Sequence, residues 1–450
     1  MNYSTNIRWI RRLIWAYFWL LLFEGVLRKW VVPSLSTPLL VVRAPIVIAI
    51  YALAIQARVF PLTRWVLCCL LLAFLGLFAG LYVLQDAPIV ALFGFQADFL
   101  HLPLIFIIPR VFDMQDVRKV GFWTLVMCIP MAVLMALQFK ANPTALINAG
   151  AGGDATQLAA TNGHIRPAGL FTFITGPSSF FPLAVAFLLS GIFASLNYPR
   201  WLLIASTLAL IVGAGVSSSR GLVSAVVVVL VCALVAGIVF RSFLISGRTI
   251  MRAVSVVASL AVIGMLVSHL DVFSEGLATF GSRIQIASGG EANTGGFTGR
   301  ILTSFAEPFE LLGSTPALGN GLGLGTNAGS ALVNTGKVKY MLAETEWDRV
   351  ILESGPVLGL AYLLLRVVLL VWLGWMSARL ARQGNVLPFL LLASCAPLLI
   401  QGQFGQPTEL GFAVFGSGLA LAAMHVFPSY QNKTADVSPT ENNPRAEVAA

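Results

Sequence analysis

Apolar runs of about 20 residues recur along the whole chain, and they constrain its fold more than any other feature of the sequence. A bilayer offers the backbone no hydrogen-bond partners, so a run of this length crosses it as a helix that satisfies its own polar groups. Hydrophobic residues make up 58% of the 450 residues and charged residues only 10%, whereas soluble domains are about 25% charged. We therefore predict an all-α, polytopic membrane protein whose first partner is the lipid bilayer.

About twelve spans fit the apolar runs and take up most of the chain in one bundle. They are predicted at residues 10–27, 44–57, 65–84, 88–109, 120–139, 169–196, 201–216, 221–240, 253–270, 355–376, 386–400 and 410–427. Spans 1–9 thus occupy residues 1–270, a large polar loop covers 271–354, spans 10–12 occupy 355–428, and a tail covers 429–450. The tail is rich in Pro, Asn, Thr and Glu, which predicts disorder because it can bury too little apolar surface to fold.

The basic residues that flank the spans predict the orientation of the bundle. If twelve spans are counted, one side collects Arg8, Arg11, Arg12, Arg58, Arg64, Arg110, Arg118, Lys119, Arg200, Arg241, Arg248, Arg252, Arg379 and Arg382. The positive-inside rule makes this side cytoplasmic. Both termini then lie in the cytoplasm, and the opposite, outer face carries loops 140–168, 217–220, 271–354 and 401–409.

A few charged residues depart from this pattern. Three basic residues follow the first span on the outer side, namely Arg28, Lys29 and Arg43. With Trp30 they form either a snorkelling belt at the membrane surface or a phosphate contact. The charges inside the spans are isolated in the sequence, namely Glu24, Asp98 and Arg366. Transporters carry charged residues deep in several spans, so this scarcity argues against a transporter.

Other functional classes find little support in the composition. The net charge of +9 does not indicate nucleic-acid binding, because the Lys and Arg residues bracket the spans. The five cysteines lie in apolar runs without metal-ligand spacing, so we predict neither a zinc site nor a disulfide framework. No small-residue cleavage site follows Arg8, Arg11 and Arg12, which indicates an uncleaved first span rather than a signal peptide.

Two arginines of the outer loops are candidates for anion binding. Arg220 lies in the turn SSSRG (Ser217–Gly221), where Ser219 and its neighbours offer free hydroxyls and the glycine allows close approach. Its guanidinium group either extends to the water at the membrane surface or donates two parallel hydrogen bonds to an anion. Arg300 stands near the start of a predicted interfacial helix whose apolar face is Leu302, Phe305, Phe309 and Leu312, with a kink or break at Pro308. Arg300 is either a ligand or an ordinary solvated arginine.

The large loop continues with a glycine-rich run, GNGLGLGTNAG (Gly319–Gly329). No buried strand precedes it and no soluble βαβ unit surrounds it, so a dinucleotide-binding motif is disfavoured. Glycines such as Gly321 and Gly323 instead allow close approach to a substrate or to neighbouring helices.

An acidic helix follows and leads into the tenth span across Gly355 and Pro356. Helical spacing places Glu346, Arg349 and Glu353 on one face. Glu346 and Arg349 either pair with each other or serve a reaction. If they serve a reaction, a carboxylate of this face lies at the membrane surface beside Arg220 and accepts a proton from a sugar hydroxyl.

The start of the interrupted sixth span adds His164 and Arg166, in the sequence NGHIRPAGLF. His164 lies on the outer side, where it has either a structural or a functional role. Arg166 enters the span that Thr175, Gly176 and Pro177 interrupt, and it is the stronger candidate for substrate binding.

Together these motifs resemble the O-antigen ligase and polymerase superfamily of bacterial membrane glycosyltransferases. The resemblance covers most of the chain, including twelve spans with the major loop between the ninth and tenth. It rests on Arg-Pro-x-Gly-x-Phe (Arg166 to Phe171), Ser-Arg-Gly (Ser219 to Gly221), Gly-Arg (Gly299, Arg300), the glycines Gly321, Gly323 and Gly325, and Glu-x-Gly (Glu353, Gly355).

The resemblance implies a glycosyltransferase of the broad C type (GT-C) in the bacterial inner membrane. Its donor would be a glycan on a polyprenyl diphosphate, used at the periplasmic face without a metal, a nucleotide sugar or another cofactor. The expected roles are diphosphate binding by Arg220 and Arg300, proton abstraction by Glu346, orientation by Arg349 and Glu353, and substrate contact by Arg166, Ser219, Gly321 and Gly323. A chain-length regulator or export complex is a further expected partner.

The start of the acidic helix departs from the motif of the ligases in this family, and this bears on which acceptor the chain would use. Ligases carry a His-Asn pair at the start of the acidic helix, whereas this chain has Glu344, Thr345, Glu346 and Trp347 there. That favours a polymerase of exopolysaccharide or O-antigen repeats, with a ligase acting on a lipid or protein acceptor as the alternative. A lipid-linked sugar flippase and a structural component of an export complex are the alternatives from other classes.

Overall fold

The computed structural model describes residues 3–153, 164–193, 196–239, 296–326 and 345–424, with residue 343 and isolated positions between 275 and 282; within 296–302 it describes the backbone only. The regular elements of these residues are helices. We number them α1 (Tyr3–Val26), α2 (Arg43–Gln56), α3 (Arg64–Val83), α4 (Pro88–Phe95), α5 (Leu104–Val111), α6 (Met114–Lys140), α7 (Thr175–Phe193), α8 (Arg200–Val216), α9 (Arg220–Ile238), α10 (Gly296–Glu310), α11 (Glu346–Arg382), α12 (Leu387–Gln401) and α13 (Pro407–Met424). Short π-helical turns follow α1 (Leu27–Val31) and α4 (Gln96–Leu100).

The predicted all-α class is confirmed for the described residues, and their long apolar helices are consistent with the predicted polytopic membrane protein. Within the part of the chain that the structure describes, seven helical segments are long and apolar enough to cross a membrane, or eight if one bent pair counts as a span. Helices α8 and α12 are apolar but shorter. The predicted ninth span, 253–270, lies outside the described residues, so the total of twelve spans stays a prediction.

Contacts join the predicted cytoplasmic loops to one another at one end of the bundle. There Arg11 pairs with Asp113 and Asp116, Arg110 donates to the carbonyl of Val59, and Arg118 donates to the carbonyl of Asn197. The first loop, the glycine-rich run and the turn between α12 and α13, which are predicted to face outward, meet at the other end of the bundle. This grouping matches the predicted topology, although which end faces the cytoplasm stays a prediction.

The predicted fourth span is bent, and the bend places a carboxylate inside the bundle. Its two parts, Pro88–Leu100 and Leu104–Val111, meet at 44°. Pro103 lies between them and has no N–H to donate, so the helix cannot continue unbroken. Asp98 is buried just before the bend, and the hydroxyl of Tyr362 donates to its carbonyl oxygen at 2.8 Å.

Helix α11 is a folded hairpin rather than one straight rod. Gly355 has φ 80° and ψ 170°, outside the helical region, and breaks the helix at the predicted junction with the tenth span. The guanidinium of Arg366 reaches the carboxylate of Glu346 at 2.7 Å. Twenty residues of straight helix would separate them by about 30 Å, so the first segment, residues 346–354, folds back along the second. We call this first segment the acidic helix.

Candidate functional site

Five buried charged residues meet where the acidic helix packs into the bundle. Arg349 is their centre: its guanidinium contacts Asp98 at 2.6 Å, Glu346 at 2.9 Å and Glu353 at 2.8 Å. Arg366 is linked to this group because its guanidinium contacts the carboxylate of Glu346. We call these five residues the Arg349 network. It holds three carboxylates and two guanidinium groups, and all five residues are buried.

The structure places Glu346 differently from the expected exposed position at the membrane surface. Glu346 is 1% exposed. Its carboxylate accepts two bonds from Arg349, one from Arg366 and one from the backbone N–H of Phe404. Three of these bonds reach Oε1 and one reaches Oε2, so both oxygens of the carboxylate are engaged. The pairing of Glu346 with Arg349, which the spacing allowed, is therefore present. A role as base stays untested, and this geometry favours a fixing role.

Glu353 fastens the glycine-rich run to the acidic helix. Its carboxylate accepts the backbone N–H groups of Gly323 at 2.9 Å and Gly325 at 2.6 Å, in addition to Arg349. The N–H of Gly321 donates to the carbonyl of Glu353 at 3.1 Å. The run therefore closes the end of the acidic helix, where carbonyl groups lack intrahelical partners.

The glycines of this run are needed for close packing against neighbouring helices. Gly323 has φ 92°, and a Cβ there would overlap the carbonyl oxygen of Val90 on α4. A Cβ on Gly94 would in turn overlap the backbone of Gly323. Gly321 and Gly323 are both buried. Approach to neighbouring helices, one of the two predicted uses, is thus confirmed, and substrate contact by these glycines stays a prediction.

Helix α12 ends inside the bundle, and side chains of α11 complete its hydrogen bonding. The last carbonyl groups of a helix lack intrahelical partners, and cations are favourable beside them. Arg366 donates to the carbonyls of Leu398, Leu399 and Gly402, and the indole of Trp347 donates to that of Ile400 at 2.8 Å. Arg366 and Asp98, which look isolated in the sequence, therefore belong to one fixed assembly.

A second buried set of charges lies at the end of α1. Glu24 contacts Arg28 at 3.5 Å and Arg43 at 3.1 Å. Arg43 also donates to the hydroxyl of Tyr17 and to the carbonyl of Pro407 at the start of α13. The predicted snorkelling belt is wrong for these cations, because Arg43 is only 2% exposed. Glu24 is likewise not isolated.

Lys29 holds the segment that leads into α7. Its ammonium group donates to the carbonyls of Gly169 at 2.9 Å and Phe171 at 3.0 Å. Burial of this side chain, beyond the first predicted span, lowers the pKa of Lys29 to about 7. Gln138 accepts the N–H of Gly169 at 2.8 Å. The predicted motif Arg166 to Phe171 is thus packed between α1 and α6, with Arg166 half-buried.

The contacts of His164 favour the structural one of its two predicted roles. Its ring stacks on Phe139 at 4.2 Å between centroids, and Nδ1 bonds with the carbonyl of Phe139 at 3.0 Å. Both contacts fix the ring against α6.

The two predicted anion-binding arginines lie on helices near this end of the bundle. Arg220 is half-buried and is the first residue of α9, and Ser219 caps that helix by accepting the N–H of Leu222. The hydroxyl of Ser219 is therefore engaged rather than free. The side chain of Arg300 lies outside the described residues, but its helix α10 runs unbroken through Pro308, and Phe305 packs edge-on against Trp347 at 5.0 Å.

An open cleft lies beside Arg43 of the second charged set and beside Phe404, whose N–H donates to Glu346 of the Arg349 network. Its walls come from the bent fourth span and from three segments that the predicted topology places on the outer face: the end of the first loop, the glycine-rich run and the turn between α12 and α13. Polar wall residues include Arg43, Gln96, His101 and Thr326, and Phe93 and Phe404 add aromatic surface. We call it the outer cleft.

Glu409 was not among the predicted site residues. It lies in the first turn of α13, is 9% exposed, and accepts the backbone N–H of Gln403 at 2.6 Å. Within the described ranges no cation contacts its carboxylate. One sequence signal for it exists, because this carboxylate directly precedes an otherwise apolar span.

Comparisons of the chain with family models, with curated proteins and with solved structures found no match. The resemblance to a glycosyltransferase family therefore rests on the motifs of the sequence alone. In the described residues, no group of three or more His, Cys, Asp or Glu side chains is arranged to hold a metal ion.

Proposed function

We propose that the chain is a bacterial membrane glycosyltransferase that polymerises oligosaccharide repeats carried on polyprenyl diphosphate, at the periplasmic face of the inner membrane. The observation that carries the proposal is the convergence of the resemblance motifs on one end of the bundle. Lys29 fixes the segment Arg166 to Phe171 at this end, and Glu353 fixes the glycine-rich run to the acidic helix. Thr326 of that run lines the outer cleft. These motifs lie far apart in the chain.

In this proposal Arg220 and Arg300 bind the diphosphate and stabilise its growing charge as it leaves. Arg166 contacts the diphosphate or a sugar, and Ser219 shapes the turn that presents Arg220. The Arg349 network supports the site from behind, because it fixes the glycine-rich run and the end of α12 at once. Residues that pack behind a site in this way hold the substrate-contacting side chains in the geometry that the reaction needs.

A transporter of lipid-linked sugars is the second candidate, and one observation favours it. Charged residues lie buried between helices in two places, around Glu24 and around Arg349, which is a feature of transport pathways. However, these charges are held by several fixed partners, including backbone carbonyls of α12. That rigidity is better suited to a scaffold than to alternating access, so the enzyme remains the first proposal.

Replacing Arg220 by lysine is the first test of the proposed diphosphate contact. Lysine keeps the charge but loses the fork of two parallel donors. We expect a loss of polymer formation of about 10²–10³-fold, the range seen when one donor to a developing oxyanion is removed. The measurement is the glycan profile of cells that lack the gene and express either wild type or Arg220→Lys, with membrane levels of the protein compared.

The matched control is Arg379→Lys, at the opposite end of α11, where the side chain is exposed. It should restore long polymer fully. Polymer of normal length and yield from Arg220→Lys would refute the contact. Accumulation of full-length polymer on the lipid carrier in cells without the gene would identify a ligase instead.

A further inference from the structure

Lys29 is a buried cation that contacts a segment carrying one of the resemblance motifs. Its side chain is 1% exposed, and an ammonium group has three N–H donors. Nζ donates to the carbonyls of Gly169 at 2.9 Å and Phe171 at 3.0 Å, and the ring of Trp30 covers it with a centroid 4.1 Å away. The ammonium group is therefore engaged by the protein itself, which disfavours the predicted phosphate contact at this residue.

The segment that Lys29 holds is also fixed by α1 and α6. We call it the entry segment, residues 166–171, because it leads into α7. Gly169 lies in the left-handed region with φ 59°, and its N–H donates to Oε1 of Gln138 on α6 at 2.8 Å. A Cβ on Gly25 of α1 would overlap the backbone of Phe171. With its backbone held this closely, the segment has a defined position between the two helices.

The entry segment leads to two parts of the proposed site. Arg166, the expected substrate contact, is its first residue. Just beyond its other end, the hydroxyl of Thr175 donates to the side-chain oxygen of Gln406 at 2.9 Å. Gln406 stands between Gly405 and Pro407, which both line the outer cleft. A shift of the entry segment would therefore displace Arg166 and also disturb one wall of the cleft.

We infer that Lys29 is a positioning residue of the glycosyl transfer, an inference that rests on the proposed function. By holding the carbonyls of Gly169 and Phe171, it sets the place from which Arg166 reaches the diphosphate or a sugar of the donor. Lys29 itself does not touch the substrate. Its removal should weaken substrate binding more than the chemical step, and the loss should depend on the presence of Arg166.

The experiment is a double-mutant cycle on the full chain, purified and reconstituted in lipid vesicles with a polyprenyl-diphosphate-linked oligosaccharide as donor and acceptor. The variants are Lys29→Met, Arg166→Ala and the two combined. Methionine keeps the apolar length of lysine but has no N–H donor. The readouts are kcat and KM for the lengthening of the glycan, expressed per amount of protein that elutes as a folded, monodisperse species in size-exclusion chromatography.

Lys29→Met should raise KM about 10–100-fold, the size of a lost hydrogen bond to a charged group, with little change in kcat. Combined with Arg166→Ala, it should raise KM no further than Arg166→Ala alone, because residues that act through one another are not additive. The matched control is Lys119→Met, whose side chain is exposed near the start of α6 at the opposite end of the bundle. It should match wild type.

The possible failures are distinguishable. A wild-type KM in Lys29→Met, a loss confined to kcat, or a loss of equal size with and without Arg166 would overturn the inference and leave the proposed function in place. If Lys29→Met does not fold, Lys29→Gln takes its place in the cycle, because its amide is one bond shorter and cannot serve both carbonyls. The same dependence on Arg166 is then required. If the wild-type protein lengthens no glycan, the proposed function itself fails, and the inference fails with it.

Discussion

Arg349→Ala is expected to prevent the chain from reaching a stable folded state. Arg349 is the common partner of three buried carboxylates, on Asp98, Glu346 and Glu353. Removing one partner of a buried pair leaves an uncompensated charge and costs about 3–5 kcal/mol, a large share of the roughly 5–15 kcal/mol that stabilises a typical protein. The measurement is the monodisperse fraction of detergent-purified protein in size-exclusion chromatography and its apparent unfolding temperature.

The control for Arg349→Ala is Arg379→Ala on the same helix, because Arg379 is exposed. That variant should behave as wild type, since exposed ion pairs contribute at most about 1 kcal/mol. An Arg349→Ala protein with a wild-type unfolding temperature would show that the Arg349 network does not hold α11 against the bend at Asp98.

Gly323→Ala is expected to have the next largest effect. Gly323 has φ 92°, a conformation that costs an L side chain about 1–3 kcal/mol. The added Cβ would also overlap the carbonyl oxygen of Val90, which belongs to a helix backbone and cannot rotate away. The glycine-rich run should therefore move off α4, and Glu353 should lose the N–H of Gly323. We expect a lower unfolding temperature and increased proteolysis within residues 319–326.

Gly313→Ala provides the matched control, because a Cβ at Gly313 has open space and the residue lies just upstream of the same run. It should leave the unfolding temperature and the proteolysis pattern unchanged. Equal effects of the two substitutions would contradict the close packing of Gly323.

The positions of the membrane spans follow directly from the sequence because they depend on local hydropathy. The predicted span 65–84 is α3, Arg64–Val83, and the predicted span 386–400 is α12, Leu387–Gln401. Helix ends with specific signals are also predictable, as at Gly355 and Pro356, where the predicted junction is a real break. The direction in which the chain leaves that break is not local, so the fold-back of the acidic helix could not be predicted.

The charged networks could not be predicted from the sequence because their partners are distant in the chain. Asp98 and Arg349 are 251 residues apart, and a single carboxylate in an apolar run looks isolated until its partner is placed. Periodicity correctly placed Glu346, Arg349 and Glu353 on one face, but it does not show whether that face is buried. Burial is what surrounds Glu346 with hydrogen-bond donors where an exposed carboxylate was expected.

The most direct test of the proposed function is the reconstituted reaction of the wild-type protein. Purified protein in vesicles would receive a polyprenyl-diphosphate-linked repeat unit on the accessible leaflet, without metal or nucleotide sugar. We expect longer glycans on the lipid and release of one polyprenyl diphosphate for each unit added. Movement of the lipid-linked repeat between leaflets, with no change in glycan length and no released diphosphate, would contradict the proposed glycosyltransferase and identify a transporter.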